Sequence, residues 1–168
     1  MNGHIQYGLF RPLTSGPTPA AVNRDLRPSL EQERQARQDA LALADDIAHG
    51  NLPVVATREP LPAGDVCHFA TRARFGRRRT DQSGHLELTN TWFTFRAALD
   101  VSVSWSQVAH VHLDGREVAI ALVDSTRLLR FWCPGLSDAA RAAVLAEHFS
   151  SIAREQAMAT DTTCHAWV

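Results

Sequence analysis

The sequence predicts an α+β protein that is mostly β: a seven-stranded antiparallel barrel or sandwich, capped by a C-terminal helix and preceded by an N-terminal helix. Three observations support this prediction. Short segments that alternate apolar and polar residues follow one another from His85 to Trp132, and such alternation is typical of half-buried strands. Asp114-Gly115 lies between two of these segments, and Asp-Gly is a preferred hairpin turn. After Pro134-Gly135 the apolar spacing becomes helical.

The first 51 residues are expected to form a flexible leader and one helix. Residues 1–27 contain several prolines and few apolar side chains, which favours a leader without fixed structure. A helix is predicted over 28–51, because Ser29 and Gln32 have the capping-box spacing and Gly50 can end it. The apolar stripe expected to dock on the rest of the chain contains Ala40, Leu41, Ala44, Ile47 and Ala48.

Residues 52–65 form an irregular connector, and four strands are predicted after it. The first covers residues 66–75, with His68, Arg72 and Arg74 on its outer face. A polar loop from Gly76 to Gly84 follows, and Asn90-Thr91 form a tight turn between the second and third strands. The residues predicted to face inward are Cys67, Phe69, Ala73 and Phe75, then Leu86 and Leu88, Phe93 and Phe95, and Val101, Val103 and Trp105.

The Asp114-Gly115 turn predicts the register of the hairpin formed by the fifth and sixth strands. Apolar pairs then fall on one face, as a half-buried sheet requires. The predicted pairs are Leu113–Arg116, His112–Glu117, Val111–Val118 and Ala109–Ile120.

The seventh strand is expected to turn Leu129 and Phe131 inward, and Trp105 and Trp132 are interpreted as barrel packing. In the last helix, Ala142, Leu145, Phe149 and Ile152 recur at helical spacing. One amphipathic helix is not stable alone, so it should cover an apolar opening in the sheet. Residues 157–168 are expected to form a mobile tail.

Composition excludes several classes of protein. The net charge is −1, so no bulk field attracts the whole chain to nucleic acid, and no broad basic face with aromatic platforms is visible. No apolar run approaches a membrane span of about 18 residues. Three scattered cysteines do not form a disulfide framework. We expect a cytoplasmic protein, with peripheral membrane attachment as an option, and no metal or other cofactor.

Three segments resemble the pleckstrin-homology-like domains and their GRAM relatives. They are GHLELTNTWFTF, VSVSWSQVAHV and LLRFW with the helix after it. The resemblance covers roughly residues 61–156, and it assigns 52–156 to a PH/GRAM-like domain. It implies a non-enzymatic module that binds lipid headgroups or protein segments. Consistently, we find no nucleophile elbow, phosphate-binding glycine loop or zinc-protease motif in the sequence.

The basic candidate site is a cluster of five arginines. In lipid-binding relatives the loop between the first two strands holds the residues that contact phosphate, and the resemblance implies the same here. Guanidinium groups suit phosphate oxygens, and each basic residue near an anionic surface is worth about 1 kcal/mol. The alternative is a solvated hairpin kept soluble by its charge. The candidate residues are Arg72, Arg74, Arg77, Arg78 and Arg79.

Two further hypotheses concern other side chains. Trp92 points away from Phe93 and Phe95, so it is a candidate contact residue for a ligand or partner. His110 and His112 share a strand face and, with Glu117, would form a metal or enzymatic site. A solvated cross-strand His–Glu pair is the alternative.

The first functional interpretation is therefore a regulatory or scaffolding module that engages a protein partner through its exposed strand face and leading helix. Peripheral binding to anionic lipid or phosphate ligands through the arginines is the second interpretation. A histidine-based metal or enzymatic protein is the third.

Overall fold

A computed structural model of the chain describes residues 28–57, 59–76, 82–98 and 100–164. The predicted class is confirmed: within these ranges, seven antiparallel strands form one sheet, with one helix before it and one after it in the sequence. The elements are α1 (Leu30–Ala48), β1 (Cys67–Phe75), β2 (Gln82–Thr89), β3 (Trp92–Arg96), β4 (Val101–Ser104), a 3₁₀ turn (Trp105–Gln107), β5 (Val108–Asp114), β6 (Glu117–Leu122), β7 (Leu128–Trp132) and α2 (Leu136–Cys164). The predicted leader and residues 77–81 lie outside the described ranges.

The sheet is an open meander whose strand order is β4-β3-β2-β1-β7-β6-β5. Strand β1 joins its two halves, because it pairs along its length with β2 and at its C-terminal end with β7. The sheet is therefore sandwich-like rather than a closed barrel. The apolar opening is covered by α2, which packs on β5, the 3₁₀ turn and β1. This is the role that the sequence predicted for the last helix.

One hydrophobic core lies between the sheet and α2. Phe93 is central to it: its ring centroid is 4.7 Å from that of Phe131 and 6.0 Å, edge-on, from that of Trp105. Such aromatic pairs add stability beyond the area they bury. Trp105 also donates a 2.9 Å hydrogen bond from Nε1 to the carbonyl of Thr89, which satisfies its buried N–H. Ala142, Leu145 and Phe149 are buried as predicted, whereas Ile152 is 37% exposed.

The hairpin register differs from the prediction. The observed pairs are Asp114–Glu117, Leu113–Val118, His112–Ala119, Val111–Ile120 and His110–Ala121, so the turn residues are Gly115 and Arg116. Gly115 has a φ of 56°, a conformation that glycine adopts without a steric penalty. His112 therefore does not face Glu117, whose carboxylate instead accepts a hydrogen bond from Arg130 on β7.

His68 is buried rather than on the outer face, because β1 contains a register shift between Cys67 and Phe69. A bulge of this kind turns an extra side chain toward the core. The His68 ring lies 5.2 Å from that of Phe149, and its Nδ1 is 2.6 Å from the carbonyl oxygen of Pro53. This bond ties the connector after α1 to the sheet.

The helices also depart from the prediction. The capping box of Ser29 and Gln32 is confirmed, but the buried residues of α1 are Ala36 and Leu43, while Leu41 is 64% exposed. Helix α2 extends past Gln156 to Cys164, so most of the predicted tail is helical. The division of the chain into leader, helix, domain and tail stays a prediction.

Strand β5, at the edge of the sheet, is irregular at its N-terminal end. A second register shift lies between Val108 and His110. Arg154 on α2 donates a 2.8 Å hydrogen bond from its NH1 group to the carbonyl of Ala109. The same side chain bonds Glu147 and Ser151 on its own helix. Helix α2 is thus fixed to the last strand of the sheet by a charged side chain as well as by its apolar face.

Candidate functional site

An open cavity of about 860 Å³ lies on the outer face of the sheet where its two halves meet. We call it the basic cavity. It contains four arginines, and the described residues that line it include no Asp or Glu. Its lining residues are Arg72, Ala73, Arg74, Ser83, Gly84, His85, Arg96, Ala97, Ala98, Arg116, Trp132, Cys133 and Pro134.

Strand pairing places the basic side chains of this cavity together. Arg72 pairs with His85 on β2, and His85 pairs with Arg96 on β3, so the three form one cross-strand row. Arg74 pairs with Trp132 on β7. Directly paired residues project from the same face of a sheet. The row and Arg74 therefore surround one space that is open to solvent.

Two of the five predicted arginines, Arg72 and Arg74, thus lie together in a real cavity. Arg77, Arg78 and Arg79 fall outside the described residues. Arg96 and Arg116 were missed by the sequence analysis because each comes from a distant part of the chain. The Asn90-Thr91 turn was a usable signal for Arg96, since a two-residue turn there pairs Thr89 with Trp92 and hence His85 with Arg96.

Trp132 was interpreted as barrel packing, but it lies on the outer face and is 36% exposed. Its neighbour Phe131 is the fully buried residue, because adjacent residues of a strand point to opposite faces. The Trp132 ring therefore adds an aromatic wall to the basic cavity, which can contact the apolar part of a ligand.

Arg96 and Arg116, at the rim of the basic cavity, bond different groups of the protein. The Arg96 Nε donates to Glu87 over 2.9 Å, and its NH1 group lies 3.1 Å from the carboxylate of Glu59. The bond with Glu87 raises the pKa of Arg96, so this side chain is a fixed cation. Arg116 bonds the carbonyl of Pro134 over 3.4 Å, which directs its side chain along the same rim.

The described lining of the basic cavity includes one thiol, that of Cys133. The Cys133 side chain is buried. Burial, followed by the nearby Asp138, raises the pKa of the Cys133 thiol to about 12. The thiolate is the reactive form of cysteine, so this side chain is inert at neutral pH.

A second, smaller cavity of about 350 Å³ lies on the outer face of β2, β3 and β4. We call it the Trp92 cavity. Trp92 is 39% exposed there, and its role as a contact residue stays a prediction. Arg96 borders both cavities. The lining residues are Leu61, Pro62, Asp65, Glu87, Thr89, Trp92, Thr94, Arg96 and Ser102.

The hairpin does not assemble the predicted histidine site. His110 pairs with Ala121 and His112 with Ala119, while Glu117 is buried and bonded to Arg130. Across the described ranges, no three His, Cys, Asp or Glu side chains are grouped so that they could hold a metal ion. The third interpretation therefore loses the carboxylate on which it depended.

Comparison with known proteins gives no relative by sequence. No family model matches the chain, and no curated protein matches it. None of the helices in the part of the chain that the structure describes is long and apolar enough to cross a membrane.

Solved structures do resemble the chain in fold. The Inner Membrane Complex Sub-compartment Protein 3 of Toxoplasma gondii is 10% identical, with 51% of this chain and 77% of that chain covered and a TM-score of 0.46. The human ARAP2 N-terminal PH domain is 7% identical, with 57% and 87% covered and a TM-score of 0.44. The mouse APBB2 C-terminal phosphotyrosine interaction domain is 12% identical, with 54% and 94% covered and a TM-score of 0.36.

The pleckstrin-homology-like resemblance predicted from the sequence is confirmed for the fold. The features shared with that fold are the seven-stranded antiparallel meander and the C-terminal helix that covers its opening. The GRAM branch of that resemblance stays a prediction.

Proposed function

We propose that this protein is a non-enzymatic binding module that holds a phosphate-bearing anion in the basic cavity. The observation that carries the proposal is the convergence of Arg72, Arg74, Arg96 and Arg116 on one open space without an acidic residue among its described lining. Guanidinium groups bind phosphate oxygens through paired, charge-assisted hydrogen bonds. Of the interpretations made from the sequence, anion binding is the one that this geometry favours.

Arg72 and Arg74 are the principal ligand-binding residues in this proposal. Both are exposed and lie two positions apart on β1, so both guanidinium groups reach the cavity from the same strand face. Arg96 is ion-paired with Glu87 and Glu59, so it offers a positioned guanidinium at the rim, while Arg72 and Arg74 supply the uncompensated positive charge. Trp132 would contact whatever apolar group the phosphate carries.

The phosphate can belong to a lipid headgroup or to a free anion, and two assays separate these sources. Co-sedimentation compares vesicles of phosphatidylserine mixed with phosphatidylcholine against phosphatidylcholine alone. Calorimetric titration with pyrophosphate tests the free anion. Lipid binding should rise with anionic lipid and fall with salt, because exposed charges are screened over about 10 Å at 0.1 M salt.

The variants are a double replacement in the cavity and a matched control. Arg72→Ala/Arg74→Ala removes two charges worth about 1 kcal/mol each near an anionic surface, so binding should weaken about 30-fold. Arg34→Ala/Arg37→Ala removes the same charge from exposed positions of α1 and should leave binding nearly unchanged. Equal losses in both variants would show a general charge effect and contradict the proposal, as would the absence of binding in both assays.

A protein partner is the second candidate function. One observation favours it. Trp92 is exposed and borders the Trp92 cavity, whose lining, unlike that of the basic cavity, includes the carboxylates of Asp65 and Glu87. Exposed tryptophans are enriched among the residues that dominate binding energy at protein interfaces.

A further inference from the structure

His85 lies between two of the arginines that line the basic cavity. It pairs with Arg72 on β1 and with Arg96 on β3, and it lines the cavity with them. Directly paired residues of neighbouring strands have Cβ atoms about 5 Å apart on one face of the sheet. An anion that contacts both arginines therefore lies beside the imidazole of His85.

Charged groups from three strands and from the connector surround His85. Strand β1 presents Arg72 opposite His85 and Arg74 two positions further along the same face. Arg96 faces His85 from β3, but two carboxylates balance its charge. They are Glu87, two positions from His85 on β2, and Glu59 of the connector. Among the described groups, the arginines of β1 therefore leave a net positive charge beside His85, which a bound anion neutralises.

We infer that His85 is a further ligand-binding residue of the basic cavity and that its protonation sets the affinity for the anion. This inference rests on the proposed anion site. An imidazole ordinarily gains a proton between pH 8 and pH 5. The protonated ring has two N–H donors and a positive charge, whereas the neutral ring has one donor. A dianion held by Arg72 accepts a charge-assisted hydrogen bond from the protonated ring, so it binds more tightly as the pH falls.

The coupling between the proton and the anion acts in both directions. If protonation of His85 strengthens anion binding, the bound anion must favour protonation of His85 by the same factor. A neutral His85 that only fills space between β1 and β3 produces neither effect. The two effects therefore separate a ligand-binding role from a structural one.

The test uses the full chain and inorganic sulfate, a tetrahedral dianion. Pyrophosphate itself gains protons as the pH falls, whereas sulfate does not, so sulfate isolates the protonation of the protein. The measurement is the ¹H–¹⁵N resonance of the indole of Trp132, a lining residue of the cavity, assigned through its loss in Trp132→Phe. One further positive charge near an anionic group is worth about 1 kcal/mol. Sulfate should therefore bind about fivefold more tightly at about pH 5.5 than at about pH 8.

One variant and a matched control assign this pH dependence. His85→Gln keeps a hydrogen-bond donor but cannot gain a charge, so its sulfate affinity should be nearly the same at both pH values. His110→Gln removes an exposed histidine of β5 and should keep the full change. The inference is overturned if His85→Gln shows the same pH dependence as the unchanged protein, or if the unchanged protein shows none.

A second readout uses the unmodified protein, so it does not depend on how a variant folds. The imidazole C–H resonance of His85, assigned through its loss in His85→Gln, reports the protonated fraction of the ring. At about pH 6.5, where histidines commonly titrate, saturating sulfate should move this resonance toward its position in acid. A resonance that does not move would contradict the coupling.

Failure of this inference can be told apart from failure of the proposed anion site. If Arg72→Ala/Arg74→Ala weakens anion binding while His85→Gln leaves the pH dependence intact, the site stands and the role of His85 is wrong. The absence of any sulfate binding also overturns the role of His85. The proposed site itself is wrong only if pyrophosphate and anionic vesicles are not bound either, or if the arginine variant and its control lose binding equally.

Discussion

Gly84 allows two strands to approach closely at the rim of the basic cavity. A Cβ atom at this position would collide with the backbone oxygen of Arg96 and would lie 2.8 Å from Cζ of Phe95. Backbone cannot move aside as cheaply as the end of a side chain, so the end of β3 would have to shift. The absence of a side chain at Gly84 thus lets Arg96 reach the cavity.

We therefore expect Gly84→Ala to lower the free energy of unfolding by about 1–3 kcal/mol, the usual cost of overpacking. It should also weaken anion binding, because Arg96 moves with its backbone. Urea unfolding and pyrophosphate titration measure the two effects. Thr126→Ala, at an exposed loop position outside the lining of the basic cavity, is the control and should change neither. A fully stable Gly84→Ala protein would contradict the close approach of the strands.

His148 makes stability depend on pH. Burial lowers the pKa of His148 from its usual 6.5, and the nearby His68 lowers it further. The unfolded chain therefore binds a proton more readily than the folded one as the pH falls below 6.5. The contribution of neutral His148 to stability is therefore fully present above that pH. It is lost as the pH falls toward the lower pKa of His148 in the folded state.

The expected result is a lower urea midpoint at about pH 5 than at about pH 7.5, with a smaller difference in His148→Gln. His110→Gln, at an exposed position of β5, should keep the pH dependence of the unchanged protein. An identical pH dependence in all three proteins would show that His148 is not the group responsible.

At the scale of single elements, α1 docks through a narrow set of residues. Leu43 is 6% exposed and belongs to the main core, whereas Leu41 is 64% exposed. The two leucines are two positions apart, so they lie on nearly opposite sides of the helix. They offer a direct test of which face is buried.

Leu43→Ala should lower the free energy of unfolding by about 2–5 kcal/mol, because it removes buried volume. Leu41→Ala should change it by less than about 0.5 kcal/mol. Urea unfolding of the two variants measures the difference. Equal effects, or a larger effect at Leu41, would mean that α1 packs on another face.

The stripe predicted for α1 was right at Ile47, which packs against the core, and wrong at Leu41, for a physical reason. Alanines are apolar and favour helix, so they fill both the buried and the exposed sides of such a helix. Among the described residues of α1, the deeply buried large side chain is Leu43, which lies on the same side as Ala40 and Ile47. Ala44 and Ala48, which the pattern also included, are exposed. Hydrophobic spacing identifies the docked face poorly when small residues supply most of the pattern.

The hairpin shows a similar limit. Moving the turn from Asp114-Gly115 to Gly115-Arg116 changes every partner by two residues. Because side chains alternate with a period of two, each residue keeps its face. The alternation that supported the predicted register therefore supports the observed one equally well. The two registers differ in the partner of Glu117, which was predicted to face His112 and bonds Arg130 in the structure.

At the scale of the whole molecule, one core joins all the elements. Leu43 of α1, the aromatic residues of both halves of the sheet and Phe149 of α2 belong to a single buried cluster. Phe93, Ile120 and Phe149 fall in this cluster, with Val111 packed against it. The protein should therefore unfold as one unit.

The measurement is urea unfolding followed by far-ultraviolet circular dichroism and by tryptophan fluorescence. Trp105 is 3% exposed, so its emission reports on the core, while the dichroism includes both helices. The two transitions should coincide, as in two-state unfolding. Loss of helical signal before the change in fluorescence would show that α1 or the end of α2 melts independently.

The site was predictable only in part for a reason that also belongs to this scale. Alternation along β1 was enough to place Arg72 and Arg74 on one outer face. Arg116 and Trp132 reach the same cavity because β1 pairs with β7 at its C-terminal end, and no local pattern encodes that long-range pairing.

The register shift and the Arg154 hydrogen bond at the start of β5 affect how copies of the protein meet. An unpaired strand normally invites another chain to extend the sheet, which is the first step toward fibrils. Here one border strand has only four residues, Val101–Ser104, and the other offers an interrupted backbone whose Ala109 carbonyl is already engaged. An incoming chain therefore finds few free backbone groups with which to pair, so concentrated samples should resist amyloid-like assembly. The outer face of the sheet stays available to ligands.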